Sequence, residues 1–594
     1  MAMAKSDTLQ DWVYSDLLQP SLGYEVVFAV GCTYSLSFEG LLSVPMAFGL
    51  LGEMDSTTKQ TPAYLLESIR RSSDKFIVFC NKGGIHVPPQ TLTLYSLLEG
   101  CIQEVVNRDK LMANFHPKVW IIKERHESGT EQIRIIILSR NLTYTNDIDV
   151  VVSMRGQLVS DARRKYCKQE HQPLQDWLLE LGNSLTASPK KNQLLALADD
   201  IVRLDTLDVS EPFVDYTFYP NYFGRLLTNT KPLQELLQAE QLMIVSPFVD
   251  ESMLEFLCGR KLKHSRKILL TRRENITQRV LECFDEVYAE NDAMLENNVA
   301  PVSLHAKMYL TQTSNPKRYH LYLGSANATQ KAFKENAEMM IGLEFKQLGS
   351  GDRFEIMRNE ILGAENRYIQ VTQPTIDTTV DKRIEQEADK VLKQAMLALK
   401  SATIEKEDEG ELFNIELKTN KLVTKHLVHI TPLHCPAKKQ LIQWGEVNLI
   451  KGIPGLYLSE FYILEIKIGD LCKSVLCKVP TKNMPNERDR WIYKDMINSR
   501  EKFMNYISLM LTDEPSLLLS NDEFVRTMNG SKPSQNSFTH VEIYEQLLRI
   551  AISNPQRLLD INKLVMQLET DVIPKEFIQM LTQFQKTIKK LERL

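Results

Sequence analysis

Along the first 375 residues the apolar and polar positions fall into a pattern that occurs twice. Tyr24 to Tyr34 (YEVVFAVGCTY) is a nearly unbroken apolar run ending on small and hydroxyl residues, and the apolar helical stretch Phe38 to Leu51 follows it. Gln241 to Phe248 (QLMIVSPF) has the same shape, with Ser252 to Leu257 as its helical stretch. Each copy then reaches another short run, Phe76 to Phe79 in the first and Lys267 to Leu270 in the second. Short, almost continuous apolar runs alternating with helical stretches predict strands covered on both faces, in α/β order. A repeat on this scale predicts one structural plan used twice.

The copies meet around Ser184 to Asp205, and the duplication ends near Thr372 to Thr375. Val380 to Lys400 has helical periodicity (Ile384, Ala388, Val391, Leu392, Met396, Leu399), and Glu405 to Glu411 reads as an acidic linker. Beyond it, Leu422 to Ile430 alternates, and Tyr462 to Ile468 with Ser474 to Val479 predicts a hairpin around Gly469-Asp470. From Arg488 the pattern is helical, clearest over 541–552 and 559–568, with a last amphipathic helix after Pro574. The expected division is a first half over 1–190, a second over 191–378, a helix and linker over 379–411, a small β-rich module over 412–485 and a helical region over 486–594. The C-terminal region reads as a packing or partner-docking unit.

Composition narrows this picture. The formal net charge is −5, so any nucleic-acid surface must be a local patch rather than a global excess. Nine cysteines without a CxxC motif favour a reducing compartment, and the expected location is cytoplasmic. Met1 to Gln10 has no apolar core like that of a signal peptide, and no 18-residue apolar run is present. Integral membrane association is therefore not expected, which counts against a membrane-embedded lipid synthase and leaves a peripheral lipase open.

Candidate chemistry sits in two matching motifs. Phe115-His116-Pro117-Lys118-Val119-Trp120 leads to Ser139-Arg140-Asn141, and Leu304-His305-Ala306-Lys307-Met308-Tyr309 leads to Ser325-Ala326-Asn327. His to Asn spans 25 residues in the first copy and 22 in the second. Of eleven histidines, only these two are followed by x-Lys. In a strand, residues i and i+2 share a face, so each His and Lys would project together. Such a set suits a phosphate diester. Imidazole can attack phosphorus, and it can also protonate a departing oxygen, because both protonation states are accessible near neutrality. Lys118, Lys307, Asn141 and Asn327 would stabilise the equatorial oxygens of the transition state. Ser139 and Ser325 could bind a phosphate oxygen or cap the turn. No metal and no cofactor is assigned.

These motifs resemble the phospholipase D superfamily, whose members join two such halves into one active site. The resemblance covers roughly residues 20 to 375. The common motif continues to an Asp, but the corresponding positions here hold Lys123 and Gln312. The sequence thus resembles the His-Lys-Asn variant found in tyrosyl-DNA phosphodiesterases and in bacterial double-motif nuclease-like proteins. It implies an α/β fold: a duplicated mixed sheet flanked by helices, pseudo-twofold, followed by the C-terminal β-rich and helical regions. It also implies His116 as nucleophile and His305 as general acid and base. Relatives carry a residue after each Asn that orients the histidine of the other half. Glu338 fits that role for His116 and Asp149 for His305, with Asp147 as the alternative; Asp149 lies 8 residues after its Asn where Glu338 lies 11 after its own.

Other constellations carry less. His426, His429, His434 and Cys435 lack finger-like zinc spacing. Arg260, Lys261, Lys263, His264, Arg266 and Lys267 form a basic cluster that could meet a nucleic-acid backbone, and Arg163-Arg164-Lys165 is a smaller one. The expected function is a metal-independent phosphodiesterase or nuclease acting on DNA or RNA. The alternatives are a phospholipase D-type lipid enzyme or phosphatidyl transferase, and a nucleic-acid-binding scaffold. The C-terminal region resembles tails of bacterial proteins in phage-defence operons, which implies a helicase or other defence-system protein as a partner.

Overall fold

The structure, a computed structural model, describes residues 14–49, 62–107, 110–143, 147–160, 171–223, 230–259, 264–291, 303–314, 317–346, 352–363, 367–375, 382–407, 411–511, 540–553, 558, 561–562, 564–566, 568 and 572–591. Its first 160 residues contribute strands β1 (Tyr24–Thr33), β2 (Phe76–Asn81), β3 (Ile102–Val105), β4 (Val119–His126), β5 (Glu131–Leu138), β6 (Asp147–Ile148) and β7 (Val151–Gln157). Six of them form one sheet in the order β3-β2-β1-β4-β5-β7. The β1–β2 and β2–β3 pairs are parallel, and β1–β4, β4–β5 and β5–β7 are antiparallel.

The second copy supplies β8 (Phe213–Asn221), β9 (Gln241–Val245), β10 (Arg266–Leu270), β11 (Glu286–Glu290), β12 (Ser303–Leu304), β13 (Met308–Ser314), β14 (Lys317–Gly324), β15 (Glu338–Phe345) and β16 (Tyr368–Gln370). Its sheet runs β16-β11-β10-β9-β13-β14-β15-β8. The inner six strands repeat the first sheet in order and direction, and β16 and β8 extend it at the two edges.

Side-chain alternation explains how the sheets meet. On β4, Val119 and Ile121 face one way, and Trp120 and Ile122 the other. The first pair joins Met243, Val245, Leu310 and Ile341 of the second sheet in one shared apolar core. The second pair packs beneath the helix Phe38–Gly49 with Phe38, Leu41 and Phe48. In the second half Leu242, Ile244 and Tyr309 make the corresponding outer core with Leu254 and Leu257 of helix Glu251–Cys258. Both sheets are therefore covered on both faces, which is why their strands are continuously apolar. Trp120 lies across Gly31, where a Cβ would come within 2.6 Å of its ring.

The C-terminal region departs from expectation at two points. The acidic stretch does not link separate units: Leu399–Lys406 and Leu412–Thr419 pair as an antiparallel hairpin, so Glu405 and Lys406 end a strand; residues 408–410 lie outside the described set. Alternating Ala402, Ile404, Ile415 and Leu417 bury one face of that hairpin, an apolar gain that outweighs the charge run at its tip. The hairpin around Gly469-Asp470 forms from Phe461–Ile468 and Leu471–Lys478. In the stretch read as alternating from Leu422, the strand begins only at Val428. Helix Lys382–Ala398 packs on the Phe461–Lys478 hairpin.

Buried ions fasten this region to the first half. Arg488 Nη1 meets Glu99 Oε2 at 2.6 Å, while Ser459 Oγ and the Glu460 amide donate to Glu99 Oε1 at 2.9 and 2.8 Å. Tyr506 donates to buried Glu67 at 2.7 Å, beside Arg70 and Arg71.

Candidate active site

Strand β4 starts at Val119 and β13 at Met308, so both His-x-Lys triplets lie immediately ahead of a strand rather than inside it. The picture of His and Lys side by side on one strand face is corrected accordingly. The ladder takes hold only at the lysine, whose carbonyl accepts from Leu138 in the first copy (3.0 Å) and Gly324 in the second (3.3 Å). Each ammonium group folds back instead: Lys118 Nζ donates to the His116 carbonyl at 2.8 Å, and Lys307 Nζ to the His305 carbonyl at 2.5 Å. Both lysines are fully buried.

The two copies cross over at the histidines. The His116 amide donates to the Ala337 carbonyl at 2.9 Å, and His116 Nδ1 meets Glu338 Oε2 at 2.9 Å. In mirror fashion, the His305 amide donates to the Ile148 carbonyl at 2.9 Å, and His305 Nδ1 meets Asp149 Oδ1 at 3.0 Å. Backbone pairing sets this register: Phe115 bridges Ala337, and β12 runs parallel to β6. Asp147 lies two residues earlier, paired through its backbone with Ser303, and Asp149 is the carboxylate that reaches His305. The difference in spacing has a local cause. Between Asn327 and Glu338 the chain makes the helix Gln330–Lys334, whereas the first copy reaches β6 directly after residues 144–146, which lie outside the described set.

The two serines hold these carboxylates. Ser139 Oγ donates to Asp149 Oδ1 at 2.7 Å and accepts from the Val150 amide at 3.0 Å. Ser325 Oγ donates to Glu338 Oε2 and accepts from the Met339 amide at 2.9 Å. A hydroxyl has one proton to donate, and Ser139 and Ser325, read from the sequence as phosphate ligands or turn caps, each turn it here to a carboxylate. Asn336 Nδ2 adds a bond to Glu338 Oε1 at 3.0 Å. Gly324, at φ 149°, precedes this serine; a Cβ there would strike the Met339 carbonyl at 2.2 Å.

Asn141 and Asn327 sit in matching turns. Among the described residues, the side-chain carbonyls of both are buried without a hydrogen-bond partner. An unpaired buried carbonyl takes a proton donor from a ligand or water, and it is the NH2 of the same side chain that can donate to a phosphate oxygen. Two hydroxyls that the motif reading missed fix these turns. Thr33 Oγ1 accepts from the Leu142 amide and Ser246 Oγ from the Ala328 amide, both at 2.9 Å, and each donates to a carbonyl two residues onward at 2.7 Å. The signal was present: each copy ends its first apolar run on a hydroxyl residue.

Charge ties the cluster together. Burial pulls Lys118 down to about 7 against the opposing pull of Glu338 and Asp149. Burial, then Lys118, holds Lys307 well below the ordinary lysine range. His116 is lowered to about 4 by burial, with Glu338 opposing and both lysines assisting. His305 is lowered by burial and then by Lys307, with Asp149 opposing and Lys118 assisting. Burial works to raise Glu338 and Asp149, but the neighbouring histidine and lysine charges and the serine bonds outweigh it and hold both carboxyls low. Each histidine thus feels the lysine of the other copy, as one shared cluster requires.

Arg272 was also missed. It follows β10, donates to the Leu304 carbonyl at 2.9 Å, contributes positive charge at Lys307, and lies 4.8 Å over the half-exposed Phe248 ring. On the other side Tyr34 lies 5.1 Å from the His116 ring. The proposed backbone ligands Arg260, Lys261 and Lys263 lie outside the described residues, as do Arg163 to Lys165. The described end of that basic cluster serves the fold: His264 bonds the Ala239 and Leu257 carbonyls, and Arg266 pairs with Glu286 and Glu355. His426 pairs with Glu387 and His434 with Ser96; among the described residues no three metal-ligating side chains gather. No described helix is long and apolar enough to cross a membrane.

The sequence matches no family model and no curated protein. Among solved structures, yeast tyrosyl-DNA phosphodiesterase is similar over 57% of this chain and 86% of its own, at 12% identity and a TM-score of 0.33. A histidine-to-asparagine mutant of that yeast enzyme aligns over 56% of this chain and 86% of its own, at 11% identity and a TM-score of 0.35. Phosphatidylserine synthase of Haemophilus influenzae Rd KW20 aligns over 64% of this chain and 95% of its own, at 10% identity and a TM-score of 0.33. In its motifs and in its mixed sheets flanked by helices, the chain resembles the phospholipase D superfamily.

Proposed function

We propose that this protein is a phosphodiesterase that hydrolyses a polynucleotide, DNA or RNA, through a phosphohistidine and without a metal ion. One observation carries the reading: two histidines, each bonded to a carboxylate from the opposite copy, share a cluster with two buried lysines. Glu338 accepts the Nδ1 proton of His116 and leaves Nε2 with its lone pair. Nε2 attacks phosphorus, the bond to the leaving oxygen breaks, and protonated His305 supplies that oxygen with a proton. Neutral His305 then takes a proton from water. The water oxygen bonds to phosphorus, the phosphorus–nitrogen bond breaks, and His116 returns to its starting form. A bound diester anion favours the charged forms of Lys118, Lys307 and His305, which burial suppresses in the empty cluster. The lysines and the two asparagine amides then face the charge that develops on the equatorial oxygens.

A polynucleotide is favoured over a lipid because Arg272 adds a further cation beside Lys307. The test is incubation with labelled single- and double-stranded DNA, RNA and phosphatidylcholine in EDTA. Cleavage of a nucleic acid with phosphatidylcholine untouched is the expected result. Headgroup release without nucleic-acid cleavage would replace this reading with the lipid one.

A further inference from the structure

The C-terminal region reaches the cluster through Lys393 of helix Lys382–Ala398. Lys393 Nζ donates to Asn114 Oδ1 at 2.9 Å. The Asn114 amide donates to Asn336 Oδ1 at 3.0 Å, Asn336 Nδ2 to Glu338 Oε1 at 3.0 Å, and Glu338 holds His116. Lys331, four residues after Asn327 in the helix Gln330–Lys334, joins the same network: its carbonyl accepts from the Asn336 amide at 3.0 Å, and the Asn336 side chain holds the Asn114 that Lys393 bonds. Burial and then Lys331 pull Lys393 down to about 8, while burial also lowers Lys331 against the opposing pull of the exposed Glu335. Asp389 is felt by both, but its carboxylate is held by Lys473 at 2.7 Å, and Lys473 also meets Glu385 at 3.3 Å. Among the described residues, neither Lys331 nor Lys393 has a carboxylate within ion-pair distance. Tyr34 fixes the location: it feels Asp389 and Lys473, and its ring lies against His116.

Two half-buried ammonium groups that repel each other, neither in direct contact with an acid among the described residues, are unfavourable unless an anion joins them. We propose that Lys331 and Lys393 form a second phosphate subsite beside His116, which takes the phosphate next to the scissile one in a polynucleotide strand. This deepens the nuclease reading and rests on it. Helix Lys382–Ala398 would then be part of the substrate groove, and a substrate with a single phosphate would leave the subsite empty.

The test compares two substrates in the full-length protein. One is thymidine 5′-(p-nitrophenyl phosphate), with a single phosphorus; the other is a set of single-stranded oligothymidylate and oligouridylate with flanking phosphates. Lys331→Gln should leave turnover of the single ester unchanged while lowering kcat/KM for the oligonucleotide by about tenfold and flattening its salt dependence by about one unit of slope; Lys393→Gln, which also gives up the ammonium bond to Asn114, should lose more on the oligonucleotide than on the single ester. Lys393→Arg should retain oligonucleotide cleavage, and thermal unfolding verifies that each variant folds. Equal losses on both substrates would overturn the subsite in favour of a role for Lys393 in holding Asn114, and no loss on either would overturn it outright. In both cases the nuclease reading stands, because the wild type still cuts the oligonucleotide. A wild type that turns over the single ester but neither oligonucleotide would end the nuclease reading and the subsite together.

Discussion

Glu338→Gln is the substitution that separates the two histidines most sharply. Glu338 is fully buried and accepts from His116 Nδ1, Ser325 Oγ and Asn336 Nδ2. Glutamine keeps its volume and removes its charge. An amide nitrogen can donate to Nδ1, which stabilises the tautomer carrying its proton on Nε2 and removes the attacking lone pair. When the buried carboxylate partner of a catalytic histidine becomes an amide, the loss is on the order of 10⁴-fold. A second effect adds to the first: Glu338 is the foremost charge supporting Lys118, so its loss moves that lysine further toward neutrality. Formation of the phosphoenzyme should therefore slow by about 10³–10⁴-fold. The assay is rapid-quench single turnover with a p-nitrophenyl ester, following the nitrophenolate burst and trapping phosphohistidine in base. Asp149→Asn is the internal comparison. Asp149 serves His305, which need not protonate so good a leaving group; its burst should stay within about tenfold of wild type while breakdown slows. A Glu338→Gln burst close to the wild-type rate, or equal slowing in both variants, would refute the assignment of His116 as nucleophile.

Four further outcomes follow from the same geometry. His116→Ala should abolish covalent labelling and turnover, and His305→Asn should slow phosphoenzyme breakdown more than its formation; phosphate trapped on His305 by peptide mapping would reverse the roles. Activity should survive EDTA at full rate, and strict dependence on added divalent metal would contradict the mechanism. With a p-nitrophenyl ester, whose departure does not need the His305 proton, the pH profile of kcat/KM should fall on the acid side near about 4, where His116 takes a proton and cannot attack, and should fall again as pH rises through about 7, where Lys118 of the free enzyme loses the charge that receives the diester. Lys118→Arg should move that alkaline limb upward, since a guanidinium stays protonated there. Arg488→Ala strands the buried Glu99 carboxylate and should cost about 3–5 kcal/mol in chemical denaturation, whereas Arg488→Met with Glu99→Leu should cost less.

Much of this molecule is legible along the chain. The repeated run of apolar strand, helix and apolar strand requires only local alternation and chain order, and the inner strands at Tyr24, Phe76, Gln241 and Arg266 form where the pattern places them. The paired His-x-Lys and Ser-x-Asn motifs are equally local, because one antiparallel pair of neighbouring strands, β4 with β5 and β13 with β14, returns the end of each motif to its start. What lies across the seam between the sheets is not local. Asp149 rather than Asp147 meets His305 because β6 pairs with β12 in a particular register, which no spacing within the first copy encodes. Ser139 and Ser325 turn to carboxylates rather than outward because Asp149 and Glu338 are packed beside them. Lys331 and Lys393 lie 62 residues apart and Arg272 lies 35 from Lys307, so each reaches the cluster only through tertiary packing. The depressed lysines are likewise a property of burial. A lysine is an ordinary cation in any sequence, and only the closing of two apolar sheets over Lys118 and Lys307 leaves them to await an anion.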